Sequence, residues 1–388
     1  MQSRVASHTE DLKVPILAGI EGEDMSAGSI FSNEESLLTN LCKAHRHVYK
    51  HHSSRTPGTD GMTRDEFLDK KDLIIQEATK ALLYETYKPT PLRAVRIPKP
   101  SGGTRCIAVP TLIDRMIQST IRDEIQSTFE AIFHDSVHGF RPGRGPHSAI
   151  KAFVEILKSG RTYALQMDIS RMFDNIDPRR LLNLLYKKGI DPRAINAARK
   201  TIKSQMIMDG KIITTGTGIP QGSPLSPLLA NVYMHEFDTQ ITRKGIPYLR
   251  YADDCTLLFG SRDAMRKGER GVNELLGNLN LETNPDKTKT VDIRQQPVLL
   301  LGFEIYHTGE ILMPEHKVKE VMSKIDEVCS AGAGINNALR RGIYNYVKGI
   351  ISYYKNIDNH EPLERMKSYT FENLKLEGGD LYEYRDLM

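Results

Sequence analysis

Two adjacent carboxylates lie in the stretch Tyr251-Ala252-Asp253-Asp254, with apolar residues at Tyr248 and Leu249 before it and at residues 256–259 after it. Neighbouring anions are costly to bury without a counter-charge. The pattern therefore predicts a strand–turn–strand hairpin that holds both carboxylates at its tip. Oxygen ligands presented in this way suit a divalent cation in phosphoryl transfer. An ordinary hairpin turn is the simpler alternative, because Asp is common in turns.

Two further stretches precede the acidic pair and strengthen this interpretation. Residues 164–169 form an apolar, strand-like run that contains one acid, Asp168, which lies 85 residues before Asp253. Residues 218–231 begin with a Gly/Pro turn and continue into a helix-compatible segment. Such a turn lets the backbone approach a nucleotide closely.

The order of these three stretches resembles the palm of reverse transcriptases, most closely the bacterial group II intron type. Six other blocks are similar to the same family, at residues 55–61, 97–105, 110–115, 138–144, 285–290 and 300–303. The resemblance runs from roughly residue 35 to residue 355, and the order of the blocks makes coincidence an unsatisfactory explanation. The chain stops soon after its last block, so we expect a short form without an endonuclease domain.

The resemblance implies an α+β fold of the right-hand polymerase type, with fingers, palm and helical thumb. Apolar spacing independently predicts helices over residues 34–49, 64–84 and 112–133, and a helical pattern after residue 314. We divide the chain into a flexible N-terminal extension (1–33), fingers (34–160), palm (161–306), and helical thumb with C-terminal tail (307–388).

Composition is typical of a soluble globular protein. The chain has 388 residues, of which 39% are hydrophobic and 26% charged. No apolar run approaches the roughly 20 residues that a membrane span needs, so we expect a cytoplasmic protein without membrane contact. The net charge is only +4, which predicts that a protein binding a polyanion concentrates its basic residues on one surface.

The predicted catalytic residues follow from the acids and from the family pattern. We assign Asp168, Asp253 and Asp254 to two Mg²⁺ ions, with Mn²⁺ as a substitute, because carboxylates are the ligands for two-metal nucleotide addition. The resemblance implies that the backbone carbonyl of Ile169 is a further ligand and that Lys287 protonates the leaving pyrophosphate. A solvated acidic turn and an ordinary surface lysine are the alternatives.

A second group of residues is predicted to bind the incoming nucleotide. Phe173 follows Asp168 by five residues, where the family pattern places a ring that excludes a 2′-hydroxyl; a core aromatic is the alternative. Gln221 and Gly222 are predicted to line the pocket of the nascent base pair. The remaining candidates, for the triphosphate, are Lys99 and Arg105.

Cations elsewhere are predicted to bind nucleic acid. Arg115 and Arg141 adjoin apolar runs, and they either contact template phosphates or brace the fingers. Arg340, Arg341 and Lys348 alternate with tyrosines in the thumb, which suits a helix lying on a primer–template duplex. A tyrosine-rich helix that packs on the palm is the alternative.

These features predict an RNA-directed DNA polymerase, a nucleotidyltransferase that extends a DNA or RNA primer with dNTPs on an RNA template. A dedicated structured non-coding RNA is a further expected partner. The short architecture is typical of a free-standing enzyme derived from a retroelement, and by analogy one used in antiphage (antiviral) defence. The alternative is an intron maturase, an RNA-binding splicing factor in which polymerisation is secondary. The sequence leaves the natural template, the priming mode and the oligomeric state open.

Overall fold

The fold begins with a buried anchor before the first helix. The computed structural model describes residues 28–98, 102–213, 217–330 and 337–374. Residues 1–27, most of the predicted flexible extension, lie outside the described residues. The end of that extension differs from the predicted flexible segment, because Phe31 is completely buried in the core. The Ser29 hydroxyl and the Ile30 amide both donate to the Glu124 carboxylate.

Four helices and a short 3₁₀ turn build the helical part of the predicted fingers. They are α1 (Glu34–Lys50), the turn His52–Arg55, α2 (Arg64–Asp69), α3 (Lys71–Leu83) and α4 (Leu112–Glu130). Thr63 and Glu66 form a capping box that starts α2. The single helix predicted over residues 64–84 is wrong, since the chain leaves helical geometry at Lys70 (φ −91°, ψ 13°) between α2 and α3.

A four-stranded sheet completes this part of the molecule. With strands numbered in chain order, it contains β1 (Leu92–Pro98), β2 (Thr104–Val109), β4 (Met206–Met208) and β5 (Lys211–Ile213), in the spatial order β2-β1-β4-β5. β1 and β4 are parallel, with Leu92 opposite Met206. Two strands of the sheet therefore come from the range 161–306, which the sequence assigned wholly to the palm.

The palm sheet lies between two hydrophobic cores. Its strands are β3 (Tyr163–Asp168), β6 (Tyr248–Tyr251), β7 (Asp254–Phe259) and β8 (Lys289–Asp292), in the spatial order β6-β7-β3-β8. Successive strand residues face opposite sides of a sheet. Leu165 and Leu257 accordingly belong to the core shared with the fingers, whereas Ala164 and Leu258 belong to the core shared with the thumb.

Six helices accompany the palm strands along the chain. They are α5 (Pro146–Lys158), α6 (Met172–Asn175), α7 (Pro178–Lys187), α8 (Pro192–Ile202), α9 (Ser226–Arg243) and α10 (Arg262–Gly277). α5 belongs to the predicted fingers range, but its buried Phe153 packs in the core of the palm and thumb. Both faces of the palm sheet are therefore covered, and its end with the carboxylates stays open.

The last part of the described chain is a small sheet followed by helices. It contains β9 (Val298–Leu300), β10 (Phe303–Ile305), β11 (Ile311–Leu312), α11 (Glu315–Ser330), α12 (Asn337–Tyr354) and α13 (Glu361–Leu374). This matches the helical pattern predicted after residue 314. In the portions of the chain that the structure covers, every helix is too short or too polar to cross a lipid bilayer.

Candidate active site

The three predicted catalytic carboxylates meet at one end of the palm sheet. β6 and β7 form a hairpin in which Tyr251 pairs with Asp254, so the turn consists of Ala252 and Asp253. Asp168, the last residue of β3, lies directly opposite Asp254 in the neighbouring strand. Directly opposed residues of an antiparallel pair have Cα atoms about 4.5–5.5 Å apart. The structure therefore brings together acids that are far apart in sequence.

A buried arginine holds the turn between the two strands. Ala252 has a φ of +59°, a conformation that hairpin turns usually give to glycine. Arg250 Nη1 donates to the Ala252 carbonyl at 3.1 Å. The same guanidinium is completely buried and makes two hydrogen bonds to Asp238, at 2.9 and 2.6 Å, and one to Asn231 Oδ1 at 2.9 Å. Arg250 is a positioning residue that the sequence interpretation missed, although a lone arginine inside an apolar strand was a usable signal.

The second support of the turn is a backbone contact from residues 138 and 139. The His138 amide donates to the Arg250 carbonyl at 2.9 Å. Asn231 Nδ2 donates to the Gly139 carbonyl at 2.8 Å. A Cβ atom on Gly139 would lie 2.4 Å from the amide nitrogen of Ala252, so only glycine fits here. The acidic turn is thus fixed from α9 and from this segment together.

The carboxylates repel one another, and one lysine compensates part of the charge. Partial desolvation, followed by the charges of Asp253 and Asp168, raises the pKa of Asp254 to about 6. Desolvation and the Asp168 charge also raise the pKa of Asp253. Lys287 Nζ lies 2.7 Å from Asp168 Oδ1, and this hydrogen bond raises the pKa of Lys287. The site has an excess of negative charge that attracts a cation.

The acids open onto a cavity of about 720 Å³. Its lining includes the three aspartates, Asp286, Lys287, Lys289 and Arg105. No group of three His, Cys, Asp or Glu side chains in the described ranges is arranged to hold one ion, and Lys287 Nζ is hydrogen-bonded to one of the two Asp168 carboxylate oxygens. The donor set nevertheless fits a hard divalent cation, because it consists of carboxylates with unfavourable mutual repulsion.

A second cavity of about 610 Å³ adjoins the first and contains the predicted nucleotide-binding residues. Phe173, Gln221, Gly222 and Arg105 all line it. The Ala108 amide donates to the Gln221 carbonyl at 2.7 Å. Gly222 has a φ of +107°, and a Cβ atom there would lie 2.5 Å from the Ala108 carbonyl oxygen. The turn after residue 218 therefore packs directly on β2.

Phe173 is placed by the same turn. The Ile219 amide donates to the Phe173 carbonyl at 2.8 Å. Gly218 has a φ of +84°, and a Cβ atom there would lie 2.5 Å from the same Phe173 oxygen. The ring is half-buried and contacts the edge of the fingers core, while it also lines the second cavity. Gly218 is a second positioning residue that the sequence interpretation did not single out.

The structure describes one of the two cations that were predicted to bind the triphosphate. Arg105 is exposed on β2, opposite Ile97 in β1. It lines both cavities, so it lies where the acidic cavity and the cavity with the predicted nucleotide-binding residues meet. Lys99 lies outside the described residues. The carbonyl of Ile169 belongs to the residue directly after Asp168, and the Ile169 amide donates to the Asp253 carbonyl at 3.1 Å.

Arg115 is a brace within the fingers, the second of the two roles that the sequence left open for it. Its side chain is buried, and three of its nitrogens donate to the carbonyls of Pro110, Ser53 and Thr56 at 3.0, 2.8 and 2.7 Å. Carbonyl groups of separate segments are thus tied together by one guanidinium. Burial and these bonds leave little of the group for a phosphate.

Arg141 is a second brace, for the same physical reason. It is buried and donates to the Glu130 carboxylate at 2.9 and 2.6 Å and to the carbonyls of His134 and Val137 at 2.8 and 3.1 Å. Its guanidinium carbon also lies 5.4 Å from the centroid of the Phe133 ring. The bracing alternative accounts for both arginines better than a contact with template phosphates.

Polar residues of the thumb fall into two groups, tyrosines that contact the palm and cations on α12. Tyr353 and Tyr354 donate to the carbonyls of Leu301 and Gly302 at 2.7 and 2.8 Å, so these two rings pack the thumb on the palm. A separate set of predicted nucleic-acid-binding cations lies on α12: Arg340 is half-buried, whereas Arg341 and Lys348 are exposed. The last two are seven residues apart, which places them on one face of the helix.

The sequence of this site belongs to a known family. Residues 97–305 match the family described as "Reverse transcriptase (RNA-dependent DNA polymerase)". The match covers more than half of the 388-residue chain, and the chain therefore belongs to the reverse transcriptase family. The predicted family, the α+β right-hand polymerase fold and the enzyme class are confirmed. Reverse transcriptases use divalent metal ions and bind RNA templates.

Three relatives are similar to this chain over half of its length or more. Protein YkfC of Escherichia coli strain K12 is 30% identical over 290 residues, which are 64% of this chain and 76% of YkfC. The group II intron-encoded protein LtrA of Lactococcus lactis is 35% identical over 196 residues, 50% of this chain and 32% of LtrA. The retron Ec83 reverse transcriptase of Escherichia coli is 25% identical over 201 residues, 50% of this chain and 61% of that protein.

A solved structure is also similar to this chain over most of its length. Telomerase from Candida albicans, determined with a fragment of telomeric RNA, has a TM-score of 0.46 and 13% sequence identity, and the match covers 83% of this chain and 65% of telomerase. The region shared with LtrA is about a third of that relative's length, and the region shared with the retron enzyme is less than two thirds of it.

Proposed function

We propose that this protein extends a primer with dNTPs on an RNA template by two-metal-ion catalysis. The observation that supports this most directly is the position of Asp168 opposite Asp254 in the paired strands β3 and β7, with Asp253 in the adjoining turn. A protein that only binds RNA gains nothing from placing Asp168 where its charge raises the pKa of both Asp253 and Asp254. A catalytic cation bound by the three acids would offset the repulsion between their charges.

The three aspartates would hold two Mg²⁺ ions, with the carbonyl of Ile169 as a further ligand. When bound, such ions lower the pKa of the primer hydroxyl and neutralise the triphosphate. Lys287 contributes a proton near the same carboxylates, because its Nζ is 2.7 Å from Asp168 and it can donate to the leaving pyrophosphate. Mn²⁺ is expected to replace Mg²⁺ because it prefers similar ligands.

The second cavity would bind the incoming nucleotide and its template partner. Arg105 lies at the junction of the two cavities and would clamp the triphosphate, together with Lys99, which lies outside the described residues. Gln221 and Gly222 would contact the nascent base pair through the turn that packs on β2. Phe173 would lie against the sugar and leave no room for a 2′-hydroxyl.

Arg341 and Lys348 on α12, together with the half-buried Arg340, would contact the backbone of the primer–template duplex. Their expected signature is a binding constant that falls steeply with salt. The intron maturase alternative uses the same thumb surface for RNA and does not require the acids. We further propose a dedicated structured non-coding RNA as a partner and a role in retroelement activity or antiviral defence. Sequencing the nucleic acid that copurifies with the protein tests both.

The decisive experiment separates polymerisation from RNA binding. Asp253→Asn and Asp254→Asn variants should lose dNTP incorporation on a primed RNA template while they retain its binding. Asp263→Asn, on the exposed first turn of α10, is the matched control and should incorporate at the wild-type rate. Incorporation by either site variant at the control rate would reject the proposal. Normal biological activity in both variants would favour the maturase alternative.

Sugar selection is a separate test of the nucleotide-binding role. Phe173→Ala should raise the incorporation of rNTPs relative to dNTPs, since the ring that blocks the 2′-hydroxyl is removed. The ratio of kcat/KM for the two nucleotides is the measurement. A ratio unchanged from wild type would show that Phe173 is only an edge residue of the core.

A further inference from the structure

Phe140 is a large aromatic residue in an unusual conformation. Its φ is +61°, a left-handed value that is a genuine outlier for a bulky residue. Its side chain is 44% exposed, and it belongs to neither of the two large hydrophobic cores. Backbone strain of this kind persists only where the surroundings impose it, and it concentrates at functional sites. Core packing does not account for this ring.

The neighbours of Phe140 fix its backbone on both sides. Gly139 is held against the acidic turn and accepts a hydrogen bond from Asn231. Arg141 is tied to Glu130 and to two carbonyls. With both neighbours held in place, the backbone at residue 140 cannot relax, and the ring is presented rigidly. Rigid presentation reduces the entropic cost of binding a ligand to the ring.

The ring lines the second cavity, whose chemistry suits a nucleic-acid strand. Phe140 shares this cavity with Phe173, Gln221 and Gly222. Arg105 supplies an exposed cation, and the residues described along the cavity wall include no Asp or Glu. Arg122 also lines the cavity, where its guanidinium is paired with Asp123 at 2.7 Å. The first cavity, by contrast, contains four aspartates. Negative phosphates with flat bases are favoured in the second cavity and disfavoured beside the acids.

We propose that Phe140 is the stacking platform for the templating base of the RNA strand, the base that pairs with the incoming dNTP. This inference rests on the proposed function, because it assigns a residue to the template side of that reaction. Stacking on an aromatic ring tolerates every base, as a template reader requires, since each base has a π-face. Because Gly139 touches the acidic turn, the platform and the carboxylates are coupled through one rigid segment.

The test compares two substitutions that keep the strained backbone equally. Phe140→Leu removes the aromatic ring, whereas Phe140→Tyr keeps it. An RNA template with 2-aminopurine at the templating position reports stacking as quenched fluorescence on binding of the primed template. Wild type and Phe140→Tyr should quench the probe. Phe140→Leu should quench less, and its kcat/KM for dNTP should fall by about 5- to 150-fold, the range expected for one base–aromatic stack.

The outcomes distinguish this inference from the function on which it rests. If the wild type incorporates dNTPs but Phe140→Leu matches it in both fluorescence and kcat/KM, the stacking role is wrong and the proposed function stands. If Phe140→Leu and Phe140→Tyr lose activity equally, the ring acts by shape rather than by stacking, and the inference is again wrong. If the wild type incorporates no nucleotide, the proposed function fails. Thermal unfolding checks that both variants fold as the wild type does.

Discussion

Gly139→Ala provides the sharpest test of how the acidic turn is positioned. The added Cβ atom would lie 2.4 Å from the Ala252 nitrogen and 3.0 Å from the Tyr251 carbonyl carbon, where ordinary contacts begin at 3.4 Å. One backbone must therefore move by about 1 Å. Neither side moves easily, because the His138 amide and the Asn231 side chain tie the two segments together.

The displacement should affect catalysis more than stability. Overpacking of this kind costs typically about 1–3 kcal/mol of folding free energy. A shift of 1 Å at a reacting centre costs about 100-fold in rate. The variant should remain folded, with kcat for primer extension on an RNA template reduced by about two orders of magnitude. Steady-state primer extension and thermal unfolding measure the two effects separately.

Gly260→Ala is the matched control. Gly260 follows the far end of β7, and a Cβ atom there meets nothing within 4 Å. It should leave kcat close to wild type. Wild-type activity in Gly139→Ala would refute the reasoning, because it would mean that the turn moves freely or does not need its position. Equal losses in the two variants would refute it as well.

Three further predictions follow from the charges and hydrogen bonds around the site. The pKa of Asp254 is raised to about 6, against about 3.9 in an unfolded chain, so Asp254 should make the metal-free protein less stable as the pH rises from about 4 to about 6. The Asp254→Asn variant should lack this destabilisation and have a higher Tm than the wild type at pH 8 in EDTA; an unchanged melting profile would contradict the prediction. Arg250→Met should destabilise the fold by about 3–5 kcal/mol, because it leaves Asp238 buried without its partner. The double variant with Asp238→Leu should regain stability in urea unfolding but should not regain activity; if stability is not regained, the pairing argument is wrong. Lys287→Met should lower kcat by about 100-fold with template binding unchanged if the lysine is the acid, and an unaltered kcat would exclude that role.

The carboxylate site was predictable from sequence because its acids end short apolar strands in a recognisable order. Asp168 and Asp254 are each at a strand terminus, and a strand terminus at the open end of a sheet leaves a side chain free for chemistry. The same local pattern could not show how the hairpin is held, because Asp238 and Asn231 reach Arg250 from α9. A helix partner twelve or nineteen residues away leaves no periodic signal in the strand itself.

Long-range pairing also explains what the sequence could not decide. The sequence left Arg115 and Arg141 between phosphate contact and bracing, because it shows a cation but not its acceptors, and the Ser53 carbonyl that accepts from Arg115 lies 62 residues away. β4 was assigned with the palm because it follows α8 along the chain, yet it pairs with β1 of the fingers sheet. In both cases the partners are brought together only by the folded backbone.

The net charge of the chain is only +4. This small charge is compatible with binding to a polyanion because acidic and basic residues are separated between the two cavities. Four aspartates line the first cavity, and the described lining of the second carries arginines without acids. Arg105 lines both cavities, so a triphosphate bound to it would extend from a region that attracts metal ions to a region that attracts phosphates. If the nucleotide binds as proposed, its position follows from the charges within the site rather than from the total charge of the chain, and Arg105→Glu should weaken both dNTP incorporation and template binding.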